Sequence, residues 1–292
     1  MDADPRLSVV IPTYNRHERV IRAVTALASQ VLSGGLAAAV EVIVVDDGSE
    51  VECAAKTGDV IRRLNHSFLR YLALPENMGA SEARNAGAAA SRGAVVAFLD
   101  DDIVPADDYL PAVIRTHELH ADILVINGNL RARRPGVYTD FWFYYYSAVF
   151  NRPGQTFFPI EMLSSGHFSL KRPLLERVQP LFDTALTSRE DFDLYLRLKQ
   201  QGIPSYKDDS VLAFIDTRTT MWSFLKQRLW YSQGQDQLVA KHGPVVTRRV
   251  LAPPNPRFWY LYLLIRLTHR AARYYRAARQ LTPFRLPRER AR

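Results

Sequence analysis

The sequence predicts an α/β fold: a mostly parallel sheet flanked by helices, followed by a C-terminal helical extension. Three observations predict it. Short β-branched runs alternate with helix-length segments from Leu7 onward. Two of those runs end in clustered acids, Asp46-Asp47 and Asp100-Asp101-Asp102. The run before the second cluster, residues 94–99, is apolar throughout, as in a strand covered on both faces. An isolated carboxylate is too costly to bury. Both clusters must therefore emerge at the carboxyl ends of strands, the edge where open α/β sheets bind ligands. Asp100 and Asp102, two apart on an extended chain, point the same way and suit one hard cation.

Each element follows in order. Residues 7–11 are a strand stopped by Pro12. Thr13-Tyr14-Asn15-Arg16 leads into a helix that Asn15 caps, with Glu18 three residues on. Val20, Val24, Leu27 and Val31 of that helix face the sheet, and Ser33-Gly34-Gly35 turns the chain. Residues 41–45 are a second buried strand, ending in Asp46-Asp47-Gly48-Ser49. A helix runs to about Leu64, residues 68–74 are a third strand, and Pro75-Glu76-Asn77-Met78-Gly79 is a loop. The helix over 80–91 is so rich in alanine that it must lie close on the sheet. After the fourth strand Pro105 begins a helix to about His120, and 123–127 is a further strand. Between 128 and 165 no period is clear: 131–134 is basic and 141–150 strongly aromatic. Residues 164–172 read as a turn into a short strand. Ser188-Arg189-Glu190-Asp191 opens an amphipathic helix ended by Gly202, 211–215 is a strand, and 220–242 a long helix. Pro253-Pro254-Asn255-Pro256 divides a domain over 1–250 from a basic tail over 251–292. In that tail Leu264, Leu267, Ala271, Tyr275 and Ala278 share one helical face, and Arg266, Arg270 and Arg273 the opposite one.

The net charge is +8, but ten arginines fall in the last 36 residues, so the basic character is local and gives no reason to expect nucleic acid. A single cysteine, Cys53, excludes a disulfide framework and a thiolate metal cluster, and reads as a small core residue. The N-terminus carries no secretory pattern. The longest apolar stretch near the C-terminus, 258–265, is far short of the roughly 20 residues of a spanning helix. The expected location is cytoplasmic. The tail is either a packed helix with a solvated face or a membrane-surface helix at the inner face of the cell membrane. Its excess of arginine over acids favours the membrane.

Each candidate site residue has a plainer alternative. Asp46 and Asp47 before Gly48 are ordinary turn chemistry, but turn propensity rarely demands three acids together, as at 100–102. Two acidic strand ends in one sheet suggest an electronegative edge where a metal bridges to phosphates. Ser188-x-x-Asp191 is a capping pattern, which the helix dipole also favours. His167 alone is more often structural than a ligand. The aromatic run 141–150 is core, an acceptor platform, or a surface for a lipid-bearing acceptor.

These motifs together resemble the family 2 glycosyltransferases. Leu7-Ser8-Val9-Val10-Ile11-Pro12-Thr13-Tyr14-Asn15-Arg16 and Glu41-Val42-Ile43-Val44-Val45-Asp46-Asp47-Gly48-Ser49 look like the start of that family. Asn77-Met78-Gly79, Ala83-Arg84-Asn85-x-Gly87, Phe98-Leu99-Asp100-Asp101-Asp102, residues 166–172 and Glu190-Asp191-Phe192-Asp193-Leu194 continue it in order, over roughly residues 6–235. The resemblance implies a GT-A fold and an inverting, metal-dependent transfer from a nucleoside-diphosphate sugar, most often a UDP-sugar. Carried over residue by residue, Pro12, Thr13, Tyr14 and Arg16 would line the nucleotide pocket. Asp47 would hydrogen-bond the base, Arg84 would lie near the donor, and Asp101 near the ribose or sugar. Asp100 and Asp102 would be the DXD motif, with Asp102 the first ligand of Mg2+ or Mn2+. Asp191 would be the general base, while Gly166, His167, Glu190 and Trp142 are candidates for the acceptor and sugar pocket.

There are two departures. Where many relatives carry a histidine after the next strand, this sequence has Asp216, a candidate third metal ligand. The Gln-x-x-Arg-Trp signature of processive synthases is only echoed in Gln227-Arg228-Leu229-Trp230. A single-sugar transferase follows, acting on a glycan or lipid-linked glycan. Its rivals are a phosphatase-like hydrolase, since Asp100-x-Asp102-x-Val104 fits that nucleophile motif, and a non-catalytic sugar-nucleotide or glycan-binding module.

Overall fold

The computed structural model describes residues 4–217, 220–243, 256–268 and 270. The β-branched runs become strands and the amphipathic segments helices: β1 (Leu7–Thr13), α1 (His17–Ser33), β2 (Val40–Asp46), α2 (Val51–Leu64), β3 (Leu69–Ala73), α3 (Ala80–Ala90) and β4 (Val95–Leu99). There follow β5 (Ile103–Pro105), α4 (Tyr109–Leu119), β6 (Val125–Ala132), α5 (Val137–Phe150), β7 (Phe157–Ile160), β8 (His167–Lys171) and α6 (Pro173–Arg177). The last are α7 (Glu190–Gln200), β9 (Ser205–Ile215) and α8 (Met221–His242).

Among the described residues nine strands join one sheet, in the order β3-β2-β1-β4-β8-β6-β9-β5, with β7 also on β9. β1 to β4 are mutually parallel, and β1, β2 and β4 are buried along their length, mostly apolar but with Ser8 of β1 donating to Glu41 of β2 (2.6 Å) inside the seam. β8 runs antiparallel to both β4 and β6, so the sheet is mixed on that side. This reversal matters. Leu99 pairs with His167, which brings the amino end of β8 to the same edge as the carboxyl ends of β1, β2 and β4. The alanine-rich α3 lies as close as expected: a Cβ on Gly87 would fall 3.0 Å from Val45 Cγ2 and closer still to Val10.

Four expectations need correction. Pro105 does not open a helix. Ile103–Pro105 is an edge strand on β9, a place where proline costs no ladder bond, and the helix starts at Tyr109. Asn15 does not cap α1: it is left-handed (φ 53°), its N–H donates to Ser49 Oγ (2.8 Å), and its Oδ1 accepts from Glu50 N–H (2.8 Å). It fastens the loop after β1 to the loop after β2. Ser188 likewise caps nothing and donates to the Trp230 carbonyl (3.1 Å). Cys53 is half-buried on α2, not in the core.

The 128–165 stretch, unreadable from its period, contains α5 and β7. Phe141 of α5, Phe224 of α8, Phe258 and Leu261 bury together as a small second core. The described start of the tail, a 3-10 turn at Pro256–Phe258 and a helix over 259–268, therefore packs onto the body. Leu261, Leu264 and Ile265 of this helix face that core, whereas Trp259, Leu263 and Leu267 are 64%, 48% and 53% exposed. Leu264 and Leu267 thus do not share an environment. Arg266 and Arg270 are exposed, and the expected pattern at Ala271, Arg273, Tyr275 and Ala278 lies outside the described residues. Asp193, fully buried, accepts from Arg197 (2.8 Å), Lys241 (2.7 Å) and His242 (2.7 Å), and so clamps α7 to the end of α8.

Candidate active site

A cleft of about 1410 Å3 opens at the strand-end edge. One side is built from the loops after β1, β2 and β4 and the start of α3. The other is built from α5, the segment before β8, the start of α7, and α8.

On the first side the acids are sorted by their partners. The chain does not stay extended beyond β4 but turns, with Ile103 N–H donating to the Asp100 carbonyl (3.0 Å), so the three carboxylates fan apart. Asp101 turns inward, where Thr13 Oγ1 donates to it (2.9 Å) and Arg16 Nη1 pairs with it (2.9 Å). Burial pushes its proton affinity up, and the guanidinium only partly opposes that. Asp100 pairs with Arg84 Nη2 (2.6 Å). Asp102 is left with Arg19 at 3.6 Å. Desolvation and the two neighbouring acids push it up to about 7. Such a crowded carboxylate is a natural ligand for a hard cation. Among the described residues no three His, Cys, Asp or Glu side chains form a complete metal cage. One or two carboxylates are what Mg2+ takes from a protein when substrate oxygens complete its shell.

Pro12 and Tyr14 line the same side. Asp47 does too, but both its oxygens are engaged: they accept from Met78 N–H (2.8 Å) and Gly79 N–H (2.9 Å), holding the 75–79 loop over the cleft. Each oxygen keeps a lone pair for a ligand.

Arg84 links the two sides. It is 3% exposed, and besides Asp100 it binds Glu190 Oε1 (3.0 Å), at the start of α7. Ser165 Oγ donates to the same Glu190 oxygen (2.9 Å). Glu190 is therefore occupied in holding the site together. Beside it, Asp191 faces the cleft. Its Oδ1 accepts from Phe192 N–H (2.7 Å), and its Oδ2 receives a long contact from Ser165 N–H (3.4 Å). Burial first, then Glu190, push its pKa up to about 6, against Arg189 and the two N–H donors. A carboxylate tuned to that value is ionised yet basic near neutrality.

The acceptor-pocket candidates fare unequally. Trp142 lines the cleft as the first rung of a ladder with Tyr146 (5.0 Å between rings) and Phe150 (4.6 Å from Tyr146), spaced i, i+4, i+8 along α5. Phe141, their neighbour, belongs to the second core. Gly166 lines the cleft for a backbone reason: a Cβ there would sit 2.7 Å from Asp100 Cγ. It admits Asp100 and receives that residue's N–H on its carbonyl (3.0 Å). His167 is a correction. It lies in the core, stacked on Tyr109 at 5.6 Å in a hollow that requires Gly128, and burial pushes its pKa down to about 3. Asp216 also stands apart: it pairs with Arg22 (2.8 Å) and Arg133 (3.1 Å) and lines a small pocket next to Asp102, not the cleft itself.

Four cleft residues escape a reading of the motifs: Ser165, Arg189, Arg228 and Tyr231. Arg189 has a signal in its place just before Glu190-Asp191, and Arg228 in the Gln227-Arg228-Leu229-Trp230 echo; Ser165 and Tyr231 have none.

The model of the family described as "Glycosyl transferase family 2" matches residues 8–178. The glycosyltransferase AglE of Haloferax volcanii is 34% identical over 114 residues, covering 38% of this chain and 35% of that protein. The pre-mycofactocin glycosyltransferase of Mycobacterium tuberculosis is 26% identical over 269 residues, covering 87% of this chain and 52% of that protein. The chain thus spans only about a third to a half of the length of these relatives. Among solved structures, the mannosyltransferase PcManGT of Pyrobaculum calidifontis, in complex with GDP-Man and Mn2+, superposes with a TM-score of 0.61 at 18% identity, over 94% of this chain and 76% of that one. GalNAc-T7 with UDP, GalNAc and Mn2+ gives a TM-score of 0.58 at 17% identity, over 92% of this chain and 55% of that one. The fold is the GT-A fold of these neighbours.

Proposed function

The chain belongs to glycosyl transferase family 2, and we propose that it is an inverting, metal-dependent glycosyltransferase. It moves one sugar from a nucleoside-diphosphate sugar, a UDP-sugar, to a hydroxyl of a glycan or lipid-linked acceptor. The observation that carries this reading is the buried Asp100–Arg84–Glu190 bridge, which fixes the acidic strand ends and the Asp191 helix on opposite walls of one cleft. The family match sets aside the phosphatase-like alternative, and a cleft-lining Asp191 whose pKa burial and Glu190 raise speaks against a mere binding module.

On the donor wall, Pro12, Thr13, Tyr14, Arg16 and Asp47 bind the nucleotide, with Asp101 held rigid by Thr13 and Arg16. Asp102 first, and Asp100 beside it, would hold Mg2+ or Mn2+, an ion that neutralises charge on the leaving diphosphate; Mn2+ accompanies two of the structural neighbours. The pairing of Asp216 with two arginines speaks against it as a third ligand. On the opposite wall Asp191 takes the proton of the acceptor hydroxyl. The acceptor oxygen bonds to the anomeric carbon as the carbon–oxygen bond to the diphosphate breaks, and the diphosphate departs with that electron pair. No covalent intermediate forms, so one carboxylate base suffices. The aromatic ladder of Trp142, Tyr146 and Phe150 is the acceptor platform. Among the described residues no helix is long and apolar enough to cross a membrane. Exposed Trp259, Leu263 and Leu267 beside Arg266 and Arg270 fit a helix lying on an anionic membrane surface.

A thermal-shift panel of nucleotide sugars tests the reading. One UDP-sugar should raise the melting temperature in the presence of Mn2+ and fail to do so without it. Indifference to every nucleotide sugar would overturn it.

A further inference from the structure

Two arginines of the acceptor wall are absorbed by nothing described so far. The Arg189 guanidinium carbon lies 4.9 Å from the centre of the Tyr231 ring, and that of Arg228 lies 5.0 Å from the same centre. All three residues line the cleft beside Asp191. Arg189 Nε is buried without a hydrogen-bond partner, and the charge of Arg189 acts on Asp191 beside it. A buried guanidinium donor left unpaired, as Arg189 Nε is, is costly.

The backbone shows the same effort. Arg189 is held left-handed (φ 70°), a conformation that glycine or asparagine adopts readily and a long side chain does not. What holds it is the close approach of α8: a Cβ on Gly234 would sit 2.8 Å from the Ser188 carbonyl carbon. Strain of this kind persists where the surroundings impose it, and it collects at functional sites.

We propose that Arg189 and Arg228, braced on Tyr231, form a binding site for a phosphate group carried by the acceptor. Planar guanidinium forks match phosphate oxygens. The position beside Asp191 favours the acceptor over the donor's own diphosphate, because an inverting base stands on the face of the sugar opposite the leaving group, which Asp102 would hold through a metal ion. There is also a charge argument. When Asp191 accepts the proton it ceases to balance Arg189, and a phosphate on the acceptor takes over that role. The apolar ladder on the same wall suits an acceptor whose phosphate adjoins an apolar chain. This inference rests on the assignment of the two walls to donor and acceptor.

The test fills the donor wall first. Protein saturated with UDP or GDP and Mn2+, whichever nucleotide binds, is titrated calorimetrically with inorganic phosphate, glucose 1-phosphate and farnesyl phosphate. At least one should bind saturably, and Arg189→Asn should weaken it by about tenfold or more, the loss expected for a charge-assisted contact. Asparagine tolerates the left-handed backbone, so retained nucleotide binding certifies the variant's fold. Tighter binding of farnesyl phosphate identifies a lipid-linked acceptor, and equal or tighter binding of glucose 1-phosphate a soluble one. Binding of none, or binding unchanged in Arg189→Asn, overturns the site. If neither nucleotide binds, the donor reading fails separately, and phosphate binding lost in Arg189→Asn still supports the anion site.

Discussion

The two walls of the cleft are made in different ways. The donor wall is a set of strand ends. β1, β2 and β4 are parallel and buried, so the backbone alone delivers Thr13, Asp47 and Asp100 to Asp102 to one edge. Its side chains are then fixed by short local contacts, such as Thr13 and Arg16 on Asp101. The acceptor wall is a set of helix faces, and its polar groups are placed by packing: α8 presses Tyr231 against Arg189, and α5 lines the cleft with Trp142, backed by buried Tyr146 and Phe150. One wall is determined by topology, the other by how neighbouring helices dock. The first suits a donor whose diphosphate must always be held alike, and the second a surface shaped to one acceptor.

Arg84 is where this division can be broken. It is the buried cation shared by Asp100 and Glu190. Arg84→Met keeps the bulk and removes the charge, leaving Glu190 buried without its cation and Asp100 unpaired at the cleft edge. Loss of one partner from a buried ion pair costs about 3–5 kcal/mol. The variant should melt far below wild type and lose transfer activity as well. Wild-type melting would mean that the walls are held together by the sheet and helices alone.

Asp191→Asn separates the walls functionally. Removing a general base costs about 10²–10⁴-fold in rate, while the donor wall, untouched, should bind nucleotide and Mn2+ as before. The base is active when ionised, so wild-type turnover should rise with pH through about 6, the value set by burial and Glu190, and level off above it. The residual activity of the variant should lack this rise. A variant that turns over at the wild-type rate would remove Asp191 from the chemistry.

The same contrast explains what the sequence disclosed. Acids after apolar runs are legible because strand period and the cost of burying charge place them without reference to anything distant. Asp100, Asp101 and Asp102 were found that way, although their fan-shaped turn was not, since it depends on Arg84 and Arg16 arriving from other elements. In α5 nearly every residue is apolar or aromatic, so no period distinguishes Phe141, buried in the second core, from partly exposed Trp142, which packs on the main core and lines the cleft. His167 follows a glycine at a site edge and resembles a ligand, yet the hollow left by Gly128 draws it into the core. The role of Arg189 rests on a contact between Gly234 and Ser188, 46 positions apart, with no local trace.

The smallest effect expected is on stability, and it tests whether the acceptor wall stores the cost of a working base. Burial and Glu190 raise Asp191 to about 6 in the folded chain, above its ordinary value of about 3.8. A raised carboxylate favours the neutral form on folding. It costs nothing below pH 4, costs progressively more between 4 and 6, and costs its full amount above 6. One unit of displacement corresponds to about 1.4 kcal/mol. Asparagine avoids that charge but sets an amide group against one of the two N–H donors, the long contact from Ser165, which returns part of the gain. Asp191→Asn should therefore be more stable than wild type by about 1 kcal/mol at pH 8, some 2–4 °C in melting temperature, with the difference vanishing at pH 4. A variant equally stable at both pH values would show that the ionised base is already fully compensated by Arg189 and the backbone.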